Sequence, residues 1–147
     1  MNKMVNTLPT RGEIERNLSQ SIQAFYRNQL GCRTDKVSCH LLNEQVAIAI
    51  RNPITPLEQL LNNSNEDGFV QNLRDRIDTL IKNDLISTME KVLGVEVLAM
   101  TIKTTVNNNL TGIVALLSQK PELRDVKRIS NKLKVNSNSC ESIDRTS

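Results

Sequence analysis

The stretch KVSCHLLNEQVAIAIRNPITPLEQLL, running from Lys36 to Leu61, decides the architecture. Val37, Cys39 and Leu41 alternate with Ser38 and His40, and after Asn43-Glu44 the run Val46 to Ile50 follows, so its first part predicts an antiparallel hairpin. Cys39 falls on the core side of that alternation. Asn52-Pro53 ends the second strand, because proline has no amide donor for a ladder. Thr55-Pro56 then sets an N-cap before a proline at the first helical position, which starts a short helix reaching Leu61.

Working outward from this block, Thr10-Arg11-Gly12-Glu13 has the Thr-x-x-Glu spacing of a capping box. Ile14, Leu18, Ile22, Phe25 and Leu30 recur at three- and four-residue intervals behind it, and Gly31 is the expected stop. On the other side, Asn62 to Gly68 is a polar loop. A long helix follows, with Phe69, Val70, Leu73, Ile77, Leu80, Ile81, Leu85, Met89, Val92 and Leu93 at helical spacing. Gly94 ends it, a strand runs from Val95 to Val106, Asn107-Asn108-Asn109 turns, and Leu110 to Leu117 returns. The order is α-β-β-α-β-β. It predicts an α+β two-layer sandwich: a four-stranded antiparallel sheet with the two main helices on one face. Which strands lie at the centre does not follow from the pattern. A free edge or the second sheet face could pair with another copy, so a homodimer is the expected assembly.

Composition narrows the function classes. Of 147 residues 38% are apolar, and the polar residues gather after Gln119, so the reading is a flexible N-terminus (1–9), one domain (10–119) and an extension (120–147). Residues 1–119 hold 12 basic and 12 acidic residues and the extension 7 and 4, which puts the whole net charge of +3 on the extension. In the extension Leu123, Val126, Ile129 and Leu133 repeat at helical spacing among Arg124, Lys127, Arg128, Lys132 and Lys134. These predict a basic amphipathic helix able to touch an anionic membrane or a phosphate backbone, followed by a disordered tail from Asn136. No run approaches the roughly 18 apolar residues of a membrane span, and no signal peptide is evident, so a soluble cytoplasmic protein is expected.

A reaction centre is not expected either. The sole histidine, His40, points to the opposite strand side from Cys39, which makes it a surface or edge residue rather than half of a nucleophilic pair. Cys32, Cys39 and Cys140 are odd in number and irregular in spacing, and neither a disulfide framework nor a zinc set follows. Glu13 with Glu15, and Asp75 with Asp78 beside Arg74, Arg76 and Lys82, read as solvated helix surface. Phosphate-loop motifs are absent. Aromatic residues make up 2% of the chain and lie on helical patterns, so the sheet offers no stacking platform and no sequence-specific nucleic-acid binding is expected. No cofactor and no metal are called for.

Several of these blocks stand in an order that resembles the MpsC-like family. They are Gly31 after the first helix, Val46 to Ile50, Ile54-Thr55-Pro56-Leu57-Glu58-Gln59-Leu60-Leu61, Arg74 and Arg76 early in the long helix, and Gly94-Val95-Glu96-Val97. The resemblance covers roughly Arg11 to Leu117. It implies a small soluble protein associated with ion or inorganic-carbon transport, in the neighbourhood of a sodium-translocating, membrane-potential-generating system. The expected activity is therefore non-enzymatic: binding or regulation by contact with a protein, with a membrane transport component as the partner the resemblance implies. The candidate surface is Arg51, Thr55, Glu58, Arg74 and Arg76, where exposed guanidinium groups would pair with carboxylates or phosphates. On that reading, Arg51→Ala with Arg74→Ala leaves the melting temperature nearly unchanged. A small-molecule or anion sensor, binding between the sheet and the 52–68 connection, is the alternative.

Overall fold

In the computed structural model, residues 8–63 and 68–124 are described. The N-terminus expected to be flexible, apart from residues 8 and 9, and the basic helix and tail expected beyond Arg124, with Lys127, Arg128, Lys132 and Lys134, lie outside the described residues. The chain divides into two units, one of them Arg11–Glu122. The other joins Met1–Thr10 and Leu123–Ser147, and within it the Arg124 amide donates to the Pro9 carbonyl at 2.7 Å.

The larger unit has the α+β order expected: α1 (Arg11–Leu30), β1 (Lys36–Leu42), β2 (Gln45–Arg51), α2 (Pro56–Asn63), α3 (Phe69–Leu93), β3 (Val97–Thr105) and β4 (Leu110–Leu117). Helix α2 runs two residues past Leu61. Strand β3 starts two residues after Val95, and a bulge between Val97 and Ala99 breaks its register with β4. All pairings are antiparallel and the strand order is β1-β2-β4-β3, so the two hairpins meet through β2 and β4. Asn43 and Asn109 take positive φ (54° each) in the hairpin turns. Gly94 closes α3 in the left-handed region, φ 73°, with its amide on the Glu90 carbonyl at 2.8 Å.

One face of the sheet is covered by α1 and α3. Val46, Ile48 and Ile50 of β2 and Ile113, Ala115 and Leu117 of β4 are buried, as are Leu18 and Ile22 of α1 and Leu85 and Met89 of α3, with α1 lying against β1 and α3 against β3. Cys39 is buried and His40 exposed, as the alternation requires. The stripe of α3 departs from the apolar list. Its buried positions are Val70, Arg74, Asp78, Ile81, Leu85, Met89 and Leu93, while Phe69 and Leu80 are exposed. Steps of four and three residues keep those seven on one side, and two of them are charged.

Candidate functional site

Those two charges build the most unusual feature of the unit. Arg74 is 0% exposed, Glu58 2% and Asp78 3%. The Arg74 guanidinium donates from Nε to Asp78 Oδ1 (3.1 Å) and from Nη1 to both Glu58 Oε1 (2.9 Å) and the Pro53 carbonyl (2.9 Å). Its carbon lies 5.9 Å from the centre of the Tyr26 ring, which is fully buried and meets Phe25 edge to face. Burial disfavours the guanidinium's charge, but the carboxylates of Glu58 and Asp78 outweigh this and hold it above its usual range. Asp78 is raised by burial, against the lowering effects of Thr104 and Arg74. Tyr26 is raised well above an ordinary phenol, first by burial and then by Asp78.

Glu58 belongs to a second network. Its Oε1 also accepts from the Thr55 amide (3.0 Å) and the Thr55 hydroxyl (2.8 Å), and its own amide donates to Thr55 Oγ1 (3.2 Å). This is a reciprocal capping box at the start of α2, and the Thr-x-x-Glu spacing of Thr55 and Glu58 is its sequence signal. The same carboxylate thus caps one helix and anchors it to another. Ile54 and the half-buried Leu61 pack with Val70 and Val106 below it. Thr55→Ala should lower stability by about 1 kcal/mol, the usual worth of an N-cap. Urea denaturation measures the loss, and faster hydrogen exchange at Glu58 and Gln59 would locate it.

The sequence-derived surface is therefore corrected in part. Arg74 and Glu58 do not present charges to solvent, because α3 turns both Arg74 and Asp78 inward and α2 closes over them. Asp78 is likewise not solvated helix surface, whereas half-buried Asp75 pairs with exposed Lys103 at 3.1 Å. Arg51 and Arg76 are exposed, but Arg51 ends β2 on the outward sheet face and Arg76 lies off the buried stripe of α3. No single surface gathers the three arginines. Sequence reasoning did not reach Tyr26; Asp78 is signalled by its four-residue step from Arg74.

Both described cysteines are buried thiols. Burial pushes the Cys39 thiol up to about 11 and raises Cys32 as well, and Cys32 Sγ donates to the Asn52 carbonyl at 3.6 Å. Among the described residues, no three His, Cys, Asp or Glu side chains are grouped to hold a metal ion. No helix among them is long and apolar enough to cross a membrane.

Fold and cluster together define a two-layer α+β module in which buried charge ties a short surface helix to a long one. The chain belongs to the MpsC family: the model described as Na+-translocating membrane potential-generating system (MpsC) matches residues 10–119. Neither a curated protein nor a solved structure matches it.

Proposed function

We propose that this chain is a non-enzymatic binding or regulatory module that works by protein contact within a sodium-translocating, membrane-potential-generating system. Its partner is a membrane transport component, met from the cytoplasmic side. One observation supports this reading above others: α2 is fixed from inside by the Glu58–Arg74 pair, yet turns Leu57 (64% exposed) and Leu60 (66%) to solvent. Scattered exposed leucines are ordinary. Two of them three residues apart on a helix of eight, held rigid by a buried ion pair, form a pre-organised apolar contact.

Burying a leucine is worth roughly 1.5–3 kcal/mol, so Leu57→Ser with Leu60→Ser should weaken capture of the partner from solubilised native membranes at least about tenfold. Leu80→Ser serves as the control, since Leu80 is 76% exposed on α3. Equal capture by both variants would refute the assignment of α2.

A further inference from the structure

The sheet has a second face, and its register gives four cross-strand rows of outward side chains. The first three are Leu42–Gln45–Leu116–Ala99, His40–Ala47–Val114–Thr101 and Ser38–Ala49–Gly112–Lys103. The last is Lys36–Arg51–Leu110–Thr105. Leu42, Val114, Leu116 and Leu110 are all exposed, while Ala47, Ala49 and Gly112 leave the centre low and flat. Along β2 and β4 the centre of this face, Ala47, Ala49, Gly112, Val114 and Leu116, is apolar, with polar residues toward the edge strands.

Edge pairing is the other way for a sheet to associate, and helix side chains take one amide of edge strand β1 and backbone groups at both ends of edge strand β3. The Leu41 amide of edge strand β1 donates to Glu15 Oε2 at 2.8 Å. On edge strand β3 the Val97 amide is held by Glu90, and Gln71 accepts from the Val106 amide while donating to the Thr104 carbonyl. Edges blocked this way make poor templates for another strand. Among the described residues no element covers the face.

Charge on that face is lopsided. None of its sixteen positions is Asp or Glu, and Lys36 sits directly across from Arg51 in the row at one end. At the opposite end lie the exposed Glu44 of the β1–β2 turn and Glu96 ahead of β3. A second copy stacked with its strands reversed sets each basic row over the other copy's acidic end, and a two-fold axis across the strands achieves this for both at once. Stacking with strands aligned would bring both basic rows to the same end of the interface, away from the acidic ends.

We infer that this face binds a second copy of the chain, making a two-fold dimer in which the two sheets pack face to face with their strands reversed. Four strands at about 4.8 Å and about 3.4 Å per residue give a face that buries roughly 1,000 Å² over both copies, near the lower bound for a specific interface. A micromolar dimer is the corresponding expectation. The inference uses no residue of α2, so it can fail while the contact proposed for that helix stands, and the reverse.

Sedimentation equilibrium of the full chain tests it. Dimeric mass is expected at high concentration, dissociating on dilution through the micromolar range, and Val114→Asp should raise the dissociation constant at least about 100-fold. Leu80→Asp on the helical side should leave it unchanged. If Val114→Asp melts early, Ala49→Lys gives the same readout from β2. Ala49→Cys near the proposed axis, in a Cys140→Ser background whose other cysteines are buried, should be joined to its copy by a short bis-maleimide cross-linker. A wild-type chain that is monomeric throughout would overturn the inference. So would a dimer indifferent to both face substitutions, or one that the Ala49→Cys thiol fails to link.

Discussion

Arg74→Ala is expected to lower the free energy of unfolding by about 3–5 kcal/mol, which for a domain near 110 residues moves the melting temperature by roughly 10–25 °C. The loss does not measure the worth of the ion pairs. It arises because Glu58 and Asp78 remain buried with nothing to balance them, and desolvated carboxylates are far costlier alone than paired. Arg51→Ala removes an exposed guanidinium and should stay within about 0.5 kcal/mol of the native chain. The double substitution would therefore melt where Arg74→Ala melts, contrary to what the sequence suggests.

The sign of the pH dependence identifies the cause. Burial already raises the Asp78 carboxyl in the native chain, and without Arg74 one of the groups that lowers it is gone. A carboxyl with a raised folded pKa binds its proton more readily folded than unfolded, so stability rises as pH falls from that raised value toward the ordinary one near 4. The gap between Arg74→Ala and the native chain should shrink between neutrality and pH 4. Adding Glu58→Gln and Asp78→Asn should recover part of it at neutral pH. Thermal melts of the native chain, Arg74→Ala and the triple variant at pH 7 and pH 4.5 decide the matter, and a gap independent of pH would assign the loss to packing.

Much of the fold was legible because period and punctuation agreed. Thr55-Pro56 started a helix and Gly94 stopped one, Asn43 and Asn109 turned the hairpins, and two-residue alternation assigned Cys39 and His40 to opposite sides. Strand order was not legible, since β2 pairing with β4 depends on how two hairpins meet in space. Of the five residues read as a surface, Thr55, Glu58 and Arg74 come together while Arg51 and Arg76 do not, and Glu58 and Arg74 are buried rather than exposed. Charged side chains read as solvated by habit. The step pattern from Val70 through residues 74, 78, 81 and 85 places Arg74 and Asp78 on the buried side whatever their chemistry. Apolar Leu80, off that pattern, is left in solvent.

That ordering of geometry over polarity explains why α2 matters to the proposed contact. A short helix joined to the body by few apolar contacts would fray, because helices of this length are not stable alone. Here Glu58 closes the first turn and takes hold of Arg74, whose position is set by the long helix and by Pro53. Stability of the cluster and presentation of Leu57 and Leu60 are consequently linked, and weakening the first should blur the second.

Tyr26 gives an independent measure of how dry that cluster is. Tyr26→Ala should cost about 3–5 kcal/mol, since it removes a fully buried ring from beside both the guanidinium and Phe25. Tyr26→Phe should stay within about 1 kcal/mol at neutral pH: the hydroxyl faces Arg74 but closes no well-aligned hydrogen bond there. The two phenol states separate at high pH. An unfolded tyrosine ionises near pH 10, whereas burial raises Tyr26 well beyond that. The folded chain holds the proton longer, so the phenol's contribution is complete below pH 10 and is lost as pH rises above it. Tyr26→Phe should lack this alkaline loss. The chain has one tyrosine and no tryptophan, so phenolate absorbance reports Tyr26 directly. It should appear together with the loss of helical circular dichroism, because unfolding is what exposes the group. Phenolate forming near pH 10 in a chain still fully helical would mean that water reaches the ring, and that the charges beside it are not sealed in the core.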